Sequence, residues 1–539
     1  MSSYLCKKSA IRLVPCILGL LSFLVFKQRL YSYQEPVECD TALFSVLARE
    51  WRLGRELYSD LWDNKPPGII LTYAAAQQVV GSGPNSILLL ATFSSIFTLF
   101  GIYFAAFWMT GDWRSGVWGA AFWTLVNADP YLEANQPLAE VFVNVVWAWA
   151  MAWAIRALKK EGSSKDLVVA GCLLALASFY KHHLVVSNVL IALSIVGAMI
   201  SHRTFRNWGS SVCDLWKLLS PSFLLWIVVF SYFAVTGRFL IFWNTLITYS
   251  RYYAEGSGAH GLTANILSSI YPSTLRTVSK QGVFYPLIPL ALAALPGLFL
   301  GLKAKDRGWL LWLGFITSAW IGIALPGRLY PHYYQLLLPP LAIGAGAAGS
   351  LPMKELKWRP AAWISVVWIL ALFIVLLFRE IPLYRLEPEE WSRLKYGEVY
   401  ITVKKMGEEI GRNLLPQETF YEIGYEPGLY YYSRRRPPTG DLLADHWETG
   451  PFHKSFSEKI IHDLAAHKPE LLVTTRFWMA NPENLRQPVL QWCLARYRPF
   501  SSEFAHGPFL LYARQGGRFD GLLSGQKRAL PGKVLHHTQ

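Results

Sequence analysis

Asp40 and Lys65 bracket the part of this 539-residue chain where acid–base and anion-binding side chains crowd closest to membrane-length apolar segments. Residues 31–68 read YSYQEPVECDTALFSVLAREWRLGRELYSDLWDNKPPG and carry Glu35, Glu38, Asp40, Asp60, Asp63, Asn64 and Lys65. Charges in such a setting are costly unless they face water, a partner or a substrate. Asp40 precedes Leu43, Val46, Leu47 and Trp51, a helical spacing that suits a helix lying on a membrane surface. An Asp at that point fits an N-cap. It also fits a general base, because a helix N-terminus keeps a carboxylate ionised. Lys65 stands just before Pro66-Pro67, which suit the start of a helix. There it lies near free N–H groups that attract phosphate, although a Lys snorkelling at an interface has the same signature.

Three further polar clusters offer chemistry. Residues 127–140 (NADPYLEANQPLAE) hold Glu133, Asn135 and Glu140, and a carboxylate as close to an apolar segment as Glu140 calls for a partner. Residues 327–334 (GRLYPHYY) combine the fixed cation of Arg328 with Tyr330, His332 and Tyr333; aromatic anchoring explains the tyrosines but not Arg328 and His332. Lys181, His182 and His183 lack a third ligand at metal spacing. The six cysteines show no CxxC pair.

The elements that must carry these groups follow from composition. The chain is 53% hydrophobic and only 16% charged, against about 25% charged in an ordinary soluble domain. The apolar excess is confined to blocks before about residue 380. This predicts a polytopic α-helical membrane domain over 1–380, with an outer loop at 27–83, and a soluble C-terminal domain over 381–539. Lys7, Lys8 and Arg12 precede the first apolar run, and Lys27, Gln28 and Arg29 follow it in place of a small-residue cleavage site, so it reads as an uncleaved first span.

Ten further spans are expected at about 84–110, 115–130, 137–156, 166–181, 184–200, 218–236, 283–302, 309–326, 333–350 and 361–378, making about eleven transmembrane helices in all. Residues 67–82 decide the topology. If they do not cross, the basic connections at Arg114, Arg156/Lys159/Lys160/Lys165, Arg203/Arg206/Lys217, Lys303/Lys305/Arg307 and Lys354/Lys357/Arg359 all lie in the cytoplasm. The positive-inside bias selects that arrangement and makes 67–82 an interfacial or re-entrant helix. The N-terminus is then cytoplasmic. The C-terminal domain and all the polar clusters, together with the 237–282 connection, are extracytoplasmic. The net charge of +15 is accounted for by topology and anionic lipid, with no nucleic-acid motif.

After residue 380, strand-like runs at 419–423, 470–474 and 509–513, with a helical stretch at 454–467, predict a small α/β domain. Arg434-Arg435-Arg436 reads as a solvated run or as a steering patch for an anion. There is no Gly-rich phosphate fingerprint.

Asp40, the amphipathic run after it, the G-x-x-x-Y-x-D of 54–60 and Lys65-Pro66-Pro67 resemble the first outer loop of GT-C class glycosyltransferases. The resemblance is to bacterial members of the dolichyl-phosphate-mannose protein mannosyltransferase-like family, which includes the aminoarabinose transferases of lipid A. Ala134-Asn135…Glu140 and Gly327-Arg328…His332-Tyr333-Tyr334…Pro339-Pro340 resemble further motifs of that branch. Aminoarabinose transferases carry Asp-Glu and Glu-Lys where this chain has Asp40-Thr41 and Asn64-Lys65. A metal site built on those extra carboxylates is therefore not implied, nor is aminoarabinose as the sugar.

The resemblance implies a sugar donor on a polyprenyl phosphate, a cell-envelope acceptor (lipid, glycan or protein) and transfer at the outer face of the cytoplasmic membrane. Asp40 is then expected as the base of an inverting transfer. Lys65, Arg328, His332, Tyr333 and Lys181 are expected around the donor phosphate, and Glu140, Asn135 and Glu133 in the second acidic loop. A divalent metal is compatible with this set but not required by it. The competing readings are an oligosaccharide polymerase or ligase, a lipid or glycan transporter, which predicts mid-span charges and internal repeats, and a non-catalytic scaffold.

Overall fold

The computed structural model describes residues 2–160, 163–200, 208–255, 261–270, 282, 284–349, 359–500 and 505–520. Arg203, Arg206, Lys354, Lys357 and parts of the 237–282 connection lie outside the described residues. In chain order the helices are α1 (Ser2–Tyr31), α2 (Cys39–Arg52), α3 (Gly68–Val80), α4 (Pro84–Thr110), α5 (Trp113–Val126), α6 (Ala139–Lys159), α7 (Ser164–Tyr180), α8 (Leu184–Ile200) and α9 (Trp208–Val235). Short helices α10 (Phe239–Trp243), α11 (Ser250–Glu255) and α12 (Leu262–Ile270) lead to α13 (Phe284–Lys303), α14 (Arg307–Ala324), α15 (Leu338–Ala348), α16 (Arg359–Glu380) and α17 (Pro388–Tyr396).

Packing divides the chain into two compact units that cut across the expected boundary at 380: residues 1–36 with 64–398, and residues 37–63 with 399–539. In the first unit, six helices among the described residues are long and apolar enough to cross a membrane, namely the 13–31 part of α1, then α4, α6, α9, α13 and the stretch 364–385. Each remaining expected span coincides with a shorter helix: α5, α7, α8, α14 and α15. The stretch 67–82 forms α3, whose 13 residues rise about 20 Å, less than a hydrocarbon core of about 30 Å.

Small residues let the helices of this unit approach. A Cβ on Gly101 of α4 would come within 2.9 Å of the Ala148 Cβ on α6, and one on Gly346 of α15 within 2.5 Å of Gly119 N on α5. Gly68 matters for the Lys65 segment. A Cβ there would sit 2.4 Å from the Phe179 carbonyl oxygen, so only glycine lets the start of α3 pack onto α7.

The second unit contains α18 (Val399–Asn413), α19 (Gly428–Ser433), α20 (Asp445–Glu448), α21 (His453–His467) and strands β1 (Phe420–Glu422), β2 (Leu471–Thr475), β3 (Tyr497–Phe500) and β4 (Phe509–Arg514). The sheet order is β1-β2-β4-β3, with β1 parallel to β2 and the other pairs antiparallel. Three strands and α21 lie where the hydropathy pattern puts them. The fourth, β3 (YRPF), escapes that pattern because it is four residues long and carries Pro499 at the sheet edge.

Two expectations for residues 37–63 are corrected. The cap of α2 is Glu38, whose carboxylate accepts from Asp40 N at 2.8 Å and from Thr41 N; Asp40 therefore lies inside the first turn. The apolar face of α2 is covered by protein, not laid bare to lipid: Leu43, Val46 and Leu47 are buried, and α2 packs on α19. The Arg434–Arg436 run is solvated in part: Arg434 and Arg436 are exposed, while Arg435 is half-buried and structural. Arg435 donates to the carbonyls of Gly411 at 2.7 Å and Leu414 at 2.6 Å, and Arg436 pairs with Glu50 at 2.9 Å.

Candidate active site

The first unit gathers five of the expected residues, Glu133, Glu140, Lys181, His332 and Tyr333, from three distant stretches. α5 ends at Asn127, and Asp129 accepts from Leu132 N at 3.1 Å to start a short 3-10 turn, Pro130–Leu132. That turn ends on Glu133 with φ +55, a left-handed conformation that non-glycine residues adopt at a cost. The chain then enters α6, which places Glu140 in its first turn with only 1% of its surface exposed. Lys181, at the C-terminal end of α7, forms a buried ion pair with Glu140. Its ammonium also stands 3.8 Å from the centre of the Tyr333 ring.

A second 3-10 turn, Pro331–Leu337, supplies His332 and Tyr333. His332 Nδ1 lies 3.0 Å from Glu133 Oε2, and its Nε2 lies 4.0 Å from Glu140 Oε1. Burial alone would lower the imidazole pKa. The charge of Glu140 and the hydrogen bond and charge of Glu133 outweigh it, and Lys181 offsets them only in part, so His332 is held above its ordinary value. The turn is anchored through its backbone neighbourhood: Gln335 donates to the Leu132 carbonyl at 2.8 Å, and Asn144 of α6 donates to the Gln335 carbonyl at 3.2 Å.

Arg328 is aimed by an unusual stretch of backbone, with Gly327 at φ +69 and Leu329 at φ +50. Its guanidinium donates to the Tyr253 carbonyl at 3.0 Å and lies 4.2 Å from the centre of the Tyr253 ring. Burial raises the Tyr253 phenol far above its ordinary range and Tyr330 adds to the effect, while the charges of Arg328 and Lys65 pull the other way. Lys65 and Arg328 thus act on one phenol. Tyr330 stacks on His332 with ring centres 5.6 Å apart and 9° between planes, which joins this pair to the Lys181 cluster. Tyr253 is the residue that spacing missed. Its signal in the sequence is the Arg251-Tyr252-Tyr253 run within the long outer connection.

Asn135 and the two histidines beside Lys181 do other work. Asn135 donates to Glu35 at 2.5 Å and accepts from Lys395 at 3.0 Å, while Lys395 pairs with Glu35 at 2.5 Å. This buried triad fastens α17 to two loops. Burial raises Glu35, and Lys395 opposes it. Glu35 is therefore a structural ion pair rather than loop polarity. Burial lowers His182 to about 4 and lowers His183 further, with Lys181 adding to both, so these rings are neutral near pH 7. Among the described residues, no three His, Cys, Asp or Glu side chains are grouped to hold a metal ion.

Asp40 belongs to the second unit, where it is half-buried in the first turn of α2.

No family model matches the chain, and no curated protein matches it. Solved structures do. ArnT from Cupriavidus metallidurans bound to undecaprenyl phosphate superposes with a TM-score of 0.55 at 14% identity, over 93% of this chain and 97% of that one. The same protein in the apo state gives a TM-score of 0.56 at 15% identity, over 94% and 98%. The Archaeoglobus fulgidus oligosaccharyltransferase tethered to an acceptor peptide gives 0.51 at 10% identity, over 93% of this chain and 74% of that chain. The fold is that of the GT-C glycosyltransferases. It makes the chain a multi-pass membrane protein.

Proposed function

We propose that this protein is a membrane glycosyltransferase. It moves a sugar from a polyprenyl-phosphate-linked donor to a cell-envelope acceptor at the outer face of the cytoplasmic membrane. The observation that carries this reading is Arg328 packed on Tyr253, within reach of the charge of Lys65, beside Tyr330 stacked on His332, which shares Glu140 with Lys181. A sugar leaving a lipid phosphate puts negative charge on the phosphate, and preorganised cations lower the barrier most where that charge develops. Lys65 and Arg328 serve as the phosphate contacts. Glu133 and Glu140 favour the protonated form of His332, and Glu140 orients Lys181. Asp40 is assigned as the base for the acceptor hydroxyl on its sequence pattern, and single displacement with inversion suits one such carboxylate.

The undecaprenyl phosphate named with the ArnT structure supports the donor class. The deciding experiment supplies the purified protein with radiolabelled polyprenyl-phosphate hexoses, pentoses and amino sugars, together with an envelope extract. Consumption of one donor with label appearing on one carrier is expected, and Lys65→Gln and Arg328→Gln should each raise the donor KM. Label moving only from oligosaccharide pyrophosphate donors would replace this reading with a ligase.

A further inference from the structure

The end of α6 opposite the candidate site borders a cavity. Glu140 begins this helix and Lys159 ends it, so at helical rise the two lie about 30 Å apart. Around Lys159 the turn between α13 and α14 borders that cavity, of about 570 Å³, whose lining combines Lys159, Lys305, Arg307 and Asp306 with Ile155, Leu158, Leu302 and Leu310.

Three features make this more than a topological charge cluster. First, the three cations have no acidic side chain at ion-pair distance among the described residues, whereas nearby Arg156 is engaged by Asp166 at 3.5 Å and by the rings of Trp108 and Trp153. Second, the only carboxylate in the wall is engaged elsewhere: Asp306 caps α14 by accepting from Gly308 N at 2.6 Å. Third, the turn closing α13 places Lys305 at φ +52, where glycine is the cheap choice, with Lys305 N bonded to the Leu302 carbonyl at 3.1 Å and Asp306 N to the Gly301 carbonyl at 2.8 Å.

We infer that this cavity binds the phosphodiester headgroup of an anionic phospholipid. The basic residues would take the phosphate, and the apolar Leu158, Leu302 and Leu310 the start of the acyl chains. That apolar lining is what favours a lipid over a free anion, since half of the lining offers a soluble phosphate nothing. Basic pockets between membrane helices recognise anionic headgroups in this way.

The test uses the full chain in detergent, with native mass spectrometry reading retention of dioleoyl phosphatidylglycerol against dioleoyl phosphatidylcholine. One retained phosphatidylglycerol is expected, and Lys305→Gln with Arg307→Gln should lower its affinity about thirtyfold, at roughly 1 kcal/mol for each charge. Lys160→Gln with Lys165→Gln, which removes the same charge from exposed positions outside the cavity lining, should leave retention unchanged. Should the first pair unfold the protein, Lys159→Gln with Lys305→Gln carries the same expectation. Equal retention of both lipids, equal loss in the control pair, or displacement by millimolar inorganic phosphate would overturn the assignment.

Discussion

In the first unit Glu140 faces Lys181, and Glu133 faces His332. In the second unit Glu422 and Glu426 face one another, with Glu38 beside Glu426. Among the described residues, no lysine, arginine or histidine reaches ion-pair distance of either Glu422 or Glu426. Glu133, Glu140 and Glu422 are buried, and Glu426 is half-buried. Burial and a neighbouring acid push Glu426 up to about 8 and Glu422 well above its ordinary range, which favours the neutral form of both. In the first unit the neighbouring carboxylates raise His332 above its ordinary value. A buried group keeps its charge only where a counter-charge is built in with it. The paired charges of the first unit are suited to meet a charged substrate, whereas Glu422 and Glu426 of the second unit serve packing.

Four experiments can break or sharpen this contrast. The largest effect is expected at Asp40, which shares a unit with Glu422 and Glu426 but stays half-exposed on α2. Asp40→Asn should cost about 10²–10⁴ in transfer rate with donor binding retained, as removal of a general base does. Near-normal turnover would move the base elsewhere. Next comes the buried pair. Lys181→Met should destabilise the first unit by about 3–5 kcal/mol in a detergent melt, because Glu140 is left uncompensated. Adding Glu140→Gln to it should recover most of that loss, and failure to recover would mean that the pair is not the source.

His332 is third. Its raised pKa means that its ion-pair contribution is complete below about 6.5, the unfolded value, and is lost as pH rises through the folded value. Transfer should therefore decline on the alkaline side, and His332→Gln should lower the rate about 10²-fold and flatten that limb. An alkaline limb unchanged in the variant would remove His332 from the reaction.

The smallest effect belongs to Glu426. It folds protonated and unfolds to an acid of ordinary pKa, so the second unit should lose stability as pH climbs from about 4.5 to about 8. Glu426→Gln should match the wild type within about 1 kcal/mol at pH 5 and exceed it at pH 8 in chemical denaturation. An equal slope in both proteins would show that the carboxyl is ionised after all.

The sequence by itself determined what is local. Hydropathy runs set the helices, α4 falling on 84–110 as expected, because desolvating a backbone in lipid leaves few alternatives. Pro66-Pro67 set the start of α3, and strand-like runs set three of the four strands. Lys65, Arg328, Lys181, His332, Glu133 and Glu140 were legible as charges that need an explanation. Tertiary structure decided who answers them. The Lys181–Glu140 pair joins residues 41 apart and the His332–Glu133 pair residues 199 apart, and no local propensity encodes either. The same holds where spacing misled: Glu38 rather than Asp40 caps α2, Asn135 serves a triad closed by Lys395, and residues 37–63 pack with 399–539. An ion pair depends on which helix ends meet, and that is fixed only once the small-residue contacts of the bundle have set the distances.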